Sequence, residues 1–313
     1  MNSKKKNIET QVVEDFEKIR PAITRLLQTQ MKNDDLSLRY GRSKSNSKND
    51  IVINPSILVN TISKTNLDSD EVMIGIVVHE AIHATNNYTL DSKSLNKIFT
   101  EDLDDVDDIV DVLEILTGPF GKYVFDILIH SIEEKIFVKQ YEGLNSILED
   151  IYTESFTEIK KLGNFSQYLS LLFHSITSYI DPEFENYKKP VVSSLNESLH
   201  ILKTLDYKDV NVSELIEATV QMVDICKRHN ILPDLDNYTL GEQKEIEESL
   251  DESVVNDLSN VLIPSSNNVT TGNTLQKFLG QAESKSTDDK LNLMDDHISK
   301  VGASTTIYFP SGN

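Results

Sequence analysis

One cysteine, Cys226, is all that the 313 residues provide. A lone thiol cannot close an internal disulfide, so a reducing compartment is the natural setting. It also removes thiolate zinc sites, which usually recruit several cysteines. Glycine is sparse at 11 residues and no heptad pattern persists, which excludes collagen and a coiled-coil rod. Cations are in deficit as well: 30 Lys and Arg stand against 51 Asp and Glu, a formal charge of −21. With no surplus of positive charge to displace counterions, a sequence-independent nucleic-acid binder is ruled out, and docking on an anionic membrane is disfavoured. Long hydrophobic runs are missing too. The longest, Val72 to Val78, falls far short of the roughly 20 residues a span requires. Three lysines near Met1 are followed by no apolar stretch, so no signal peptide is expected. The expectation is a soluble, cytoplasmic protein, and an apolar fraction of 38% is enough for a packed core.

Hydrophobic periodicity predicts an amphipathic helix over 11–30, with Val12, Val13, Phe16, Ile19, Ile23 and Leu26 on one face and a restart at Pro21. Two strands follow at 36–41 and 51–54, read as a hairpin across the polar stretch Arg42–Asp50, and Pro55 ends the second. A buried helix from Asp70 to about Asn87 is entered through Asp68, with Glu71 completing a capping box. The next helix, 100–116, is unusually acidic, with eight Asp or Glu among the fourteen residues Glu101–Glu114. No glycine stands at the sharp-turn position of a calcium loop, so these acids read as a solvated face. A turn at Gly118-Pro119, with Gly121 close behind, leads to helices at 122–140, 144–161, 165–180, 190–204 and 212–229. From Asn256 onward a Ser/Asn/Thr-rich stretch reads as linker, with short helices at 274–282 or 288–300 and a terminal strand in STTIYFPSGN as further expectations. The fold class is therefore α+β and mostly helical: a zincin-like metallopeptidase core with a small sheet over 1–160, a helical extension over 161–255 and a tail over 256–313.

The chemistry resides in VVHEAIHAT, residues 77–85, which contains His79-Glu80-Ala81-Ile82-His83. On a helix, positions i and i+4 project from one face, so two imidazoles reach one ion at ~2.0–2.1 Å. Glu80 lies ~100° around the axis, within reach of a metal-bound water without displacing either histidine. Zinc lowers the pKa of that water and the carboxylate takes its proton as general base. A chain of this composition yields about 0.01 such matches by chance. Metal-free core histidines are the competing explanation. They would demand hydrogen-bond partners for two imidazoles and a carboxylate at once.

A third protein ligand is needed, and the histidine of the H-E-x-x-H-x-x-G-x-x-H pattern is missing: Asn86 and Thr89 occupy the positions of its glycine and last histidine. The segment FDILIHSIEEKIFVKQYEG, 125–143, offers Glu133 and Glu134 instead. Against the stripe Phe125, Ile129, Ile132 and Ile136, the helical period puts Glu133 at the edge and Glu134 nearly opposite. Glu133 is the preferred ligand, with Glu134 and Asp102 as alternatives. Tyr123, His130 and Tyr141 are candidates for stabilising an oxyanion. His174 reads as a core-edge residue, His200, His229 and His297 have no partner at ligand spacing, and Cys226 reads as a small buried apolar group.

The runs IVINPSILV, DEVMIGIVVHEAIHAT and HSIEEKIFVKQYEG together resemble the gluzincin-type metallopeptidase module of large bacteriophage proteins, over roughly residues 50–145. In that group a strand precedes the H-E-x-x-H helix, and a later helix carries an N-x-x-E-D-x-R-like signature before a glycine turn. Here His130 stands in place of the asparagine, Glu134 in place of the aspartate, and no arginine follows. The resemblance implies a zinc peptidase acting on a protein or peptide, in the host cytoplasm or virion-associated if viral. It also implies a von Willebrand A-type partner domain or protein, whose own D-x-S-x-S metal motif this chain lacks. Two rival readings are a non-catalytic metal-binding scaffold or virion component, and an accessory subunit of a chelatase-like assembly.

Overall fold

The computed structural model describes residues 2–30, 32–40, 49–53, 55–84, 92–99, 103, 106, 108–139, 142–179, 184–205, 211–233 and 254. The expected linker, terminal helices and terminal strand beyond 255, the loop 41–48, and His297 lie outside them. The described part is mostly helical with one small sheet. None of its helices is long and apolar enough to cross a membrane. The chain divides into two compact units at 86/87. The boundary expected at 160/161 falls instead inside a 3-10 turn, Phe156–Lys161, between two helices of the second unit.

The first unit begins with α1, Asn2–Gln30, which continues through Pro21 rather than restarting there. Val12, Phe16, Ile23 and Leu27 form its buried face; Leu26, assigned to that face from the sequence, is exposed. A step of four from Ile23 returns to the same face, whereas a step of three falls ~60° short. β1 (Ser37–Tyr40) and β2 (Asp50–Ile53) pair in parallel, Leu38 opposite Ile51 and Arg39 opposite Val52. The predicted hairpin is thus corrected. Ile51, Val52 and Ile53 are all buried, and an uninterrupted apolar run marks a strand covered on both faces, as parallel sheets require. Asp50 staples the pair, accepting from Ser37 Oγ at 2.8 Å and from Arg39 Nε at 2.7 Å. Pro55 opens an unpredicted helix, α2 (Pro55–Lys64), at the first position, where its missing N–H is harmless. α3 (Ser69–Ala84) starts as expected at Asp68, whose carboxylate accepts from Asp70 N at 3.0 Å while its carbonyl accepts from Val72 N at 3.1 Å. Val72, Met73, Val77, Val78, Ala81 and Ile82 are buried, and α3 packs against α1, α2 and β2.

The second unit holds α4 (Ser92–Ile98), α5 (Ile109–Thr117), α6 (Gly121–Val138), α7 (Glu142–Ser155), α8 (Asn164–Thr177), α9 (Lys189–Leu202) and α10 (Val212–Arg228). The acidic helix expected over 100–116 begins only at Ile109. Asp108 caps it, its carboxylate accepting from Val110 N at 2.7 Å. Aspartate is a better cap than a helix-interior residue because its short side chain competes for nearby backbone N–H groups. α6 is the central element, with α5, α7, α8 and α10 packed against it. Small polar residues enter this core by bonding back onto their own helix: Ser170 to Ser166 O, Thr177 to Phe173 O and Thr219 to Leu215 O.

α5 and α6 are joined by the 3-10 turn Gly118–Phe120, with Gly118 at φ +68°, a left-handed conformation suited to glycine. Gly121 has ordinary helical angles and is needed for space, since a Cβ there would stand 2.0 Å from Thr117 Oγ1. That buried hydroxyl donates to Leu113 O, so it cannot turn away without leaving the carbonyl. Gly121→Ala is therefore expected to lower stability by about 1–3 kcal/mol despite alanine's better helix propensity. Thr117→Ala in the same chain should recover part of the loss in urea melts. A Gly121→Ala variant as stable as wild type would contradict the packing described.

Candidate metal centre

α3 carries His79 and Glu80 at consecutive positions directly after the apolar run Val72–Val78, and places the His83 backbone one turn further on. Both described side chains are withdrawn from water: His79 is 3% exposed and Glu80 5%. The side chain of His83 lies outside the described residues, as do Asp102 and Tyr141. Imidazole nitrogens and a carboxylate are the donor types zinc takes, so the residues at these positions fit that ion chemically. Among the described residues, no three His, Cys, Asp or Glu side chains converge so as to hold an ion.

Glu133 sits on α6, in the second unit, and is 6% exposed. Its neighbour departs from expectation. Glu134 does not turn outward but is fully buried at 0%, while Ile136, assigned to the buried stripe, is 37% exposed. A helical wheel presumes one wet face; α6 is enclosed on nearly every side, so position relative to one apolar stripe does not predict exposure. Glu134 Oε2 accepts from Tyr152 OH of α7 at 3.3 Å, a long bond for a hydroxyl and carboxylate. Tyr152 in turn is stacked on Tyr179 with ring centroids 5.4 Å apart and meets Phe173 edge-on at 4.9 Å. Burial, together with the Glu134 carboxylate beside it, pushes the Tyr179 phenol far above its ordinary pKa. This tyrosine pair escaped the sequence reading. Its one signal was that Tyr152 lies four residues after the apolar Leu148 on α7.

The other singled-out residues that are described lie in the second unit. His130 Nδ1 is 2.6 Å from Asp126 O, and a carbonyl only accepts, so Nδ1 carries the proton. Tyr123 is buried edge-on to Phe165 at 6.2 Å, with Lys122 Nζ 4.9 Å above its ring. His174 is fully buried rather than at the core edge, and burial depresses its pKa to about 3. His229 Nε2 meets Glu197 Oε1 at 2.6 Å, and with Arg228 it holds the Glu197 carboxyl below its usual pKa. His200 is exposed on α9. Cys226 is buried as expected, its thiol pushed up to about 12 by burial. No known protein family, curated protein or solved structure matches this chain.

Proposed function

We propose that this chain is a zinc-dependent peptidase of the zincin class, in which His79, His83 and Glu133 hold the metal and Glu80 is the general base. The observation that carries the reading is α3, one continuous helix in which the apolar run Val72–Val78 leads into the H-E-x-x-H positions, with His79 and Glu80 both out of solvent. An imidazole and a carboxylate at consecutive buried positions are donor types that a divalent cation takes. Zinc, when bound, would supply Lewis acidity that makes water a stronger acid and nucleophile there. The Glu80 carboxylate takes the proton of the attacking water and delivers it to the departing amine. β2 packs on α3, and in this reading an extended peptide substrate would pair along the strand at 51–54. A von Willebrand A-type partner belongs to the same proposal through the phage-module resemblance.

Metal analysis tests it. Protein purified with zinc should hold about one ion per chain, through neutral His79 and His83. His79→Ala should lose it, and Glu133→Ala should bind far more weakly because two imidazoles alone remain. Zinc content unchanged in His79→Ala would end the zincin reading; full affinity in Glu133→Ala would end the assignment of Glu133 alone.

A further inference from the structure

We propose that the second unit is a docking module for a cationic polypeptide, a Lys- and Arg-rich segment held by negative charge spread over its surface. The proposal stands independently of the zinc reading. Charge is divided very unequally between the units. Residues 87–270 carry 35 Asp and Glu against 14 Lys and Arg, a formal charge of −21, whereas residues 1–86 carry 11 against 12. Solubility of a small domain asks for a net charge of only roughly 2–8. The excess in the second unit is far larger, and it opposes folding by self-repulsion, which a ligand of opposite sign relieves. The few cations of the unit are already engaged. Lys161 meets Glu158 at 2.6 Å, Arg228 meets Glu197 at 2.9 Å, Lys227 meets Asp224 at 3.3 Å, and Lys135 Nζ donates to Ile176 O at 2.6 Å. Fourteen bases cannot neutralise 35 acids, so the field stays negative whatever the pairing. Of the unit's described acids only Glu133 and Glu134 are buried. α10 displays the rest most plainly. Glu214, Glu217, Gln221 and Asp224 project within ~80° of one another on its solvent side and span ~15 Å. Its two bases, Lys227 and Arg228, stand in the last turn, where a helix C-terminus favours them. The spread of the charge identifies the ligand. Among the described residues no three His, Cys, Asp or Glu side chains converge, so the field is not gathered into a cage for one metal ion. Nucleic-acid phosphates and anionic headgroups are repelled. A flexible chain bearing several ammonium or guanidinium groups fits, because each cation can find its own carboxylate, and ~15 Å accommodates four or five residues of extended chain.

Fluorescence anisotropy of the full chain with a dye-labelled peptide of alternating Lys and Ser tests this. Binding is expected at ~50 mM salt and should weaken ~5-fold or more at ~200 mM. A peptide of alternating Glu and Ser should not bind. Reversing three charges on α10 together, Glu214→Lys, Glu217→Lys and Asp224→Lys, should weaken the Lys peptide ~10-fold. The milder set Glu214→Gln, Glu217→Gln and Asp224→Asn should fall between that triple and wild type. The control reverses three exposed acids of the first unit, Glu14→Lys, Asp34→Lys and Asp35→Lys. It changes total charge by the same amount and should stay within about twofold of wild type. Circular dichroism and urea melts establish that each variant is folded. Wild type failing to bind at the lower salt overturns the proposal, as does binding indifferent to salt. Equal weakening by the control overturns it too, because total charge rather than this unit would then be responsible. Displacement of the peptide by calcium alone, at one ion per chain, would make the acids a cation site and end the docking reading.

Discussion

Glu80→Gln is expected to keep its zinc and to lose peptide hydrolysis by ~10²-fold or more. The substitution is nearly isosteric, and Glu80 is 5% exposed on a helix whose neighbours Ala81, Val77 and Val78 are buried, so packing should survive. What disappears is a carboxylate able to accept a proton; an amide at the same place can hydrogen-bond to a water without taking its proton. The expected signature is therefore a fall in kcat with zinc stoichiometry and chelator competition unchanged. Loss of zinc in this variant would make Glu80 a ligand or a partner of one. Full activity would remove it from catalysis. A casein-type assay on wild type, Glu80→Gln and His79→Ala distinguishes these, since His79→Ala should lose both metal and turnover.

The parts of this fold that were readable from the sequence are those decided locally. Asp68 caps α3 because an aspartate side chain reaches the backbone N–H two residues on, and that signal is complete within four residues. The ends of α8, α9 and α10 follow from apolar periodicity in the same way. The H-E-x-x-H pattern is also local, since a helix alone puts its two histidines on one face. What was misread depends on partners distant in sequence. β2 pairs in parallel with β1 and is buried along Ile51–Ile53, where α3 packs on it, a fact about α3 rather than about the residues between the strands. Glu134 is buried because Tyr152 arrives from α7 and α8 covers the same side, and no pattern within α6 encodes that. The acids of residues 125–143 are of this second kind, Glu133 and Glu134 both being buried.

The helical unit is expected to be acid-labile through His174, and His174→Phe should remove that lability. The ring is fully buried among Tyr152, Phe156 and Phe173, at centroid distances of 6.0, 5.2 and 5.4 Å, and neither nitrogen has a hydrogen-bond partner among the described residues. Desolvation is the cause that lowers its pKa from 6.5 to about 3, because the charged imidazolium would have to exist without water. The unfolded chain therefore binds a proton below pH ~6.5 that the folded chain refuses until pH ~3. Stability from this residue is complete above the unfolded value, declines as pH falls through the interval, and levels off below the folded value. The linked loss is about 3 kcal/mol between pH 7 and pH 4, and ~4–5 kcal/mol once the folded pKa has been passed. Phenylalanine fits the same aromatic surroundings and carries no donor to strand, so His174→Phe should also gain about 1–2 kcal/mol at pH 7. Urea unfolding of both proteins at pH 7, 5 and 4 isolates the effect, because carboxylates common to the two chains cancel in the difference. The advantage of His174→Phe should widen at each step toward acid. A difference that stays constant from pH 7 to pH 4 would mean that His174 finds a proton-stabilising partner in the folded chain, and the account of its burial would be wrong.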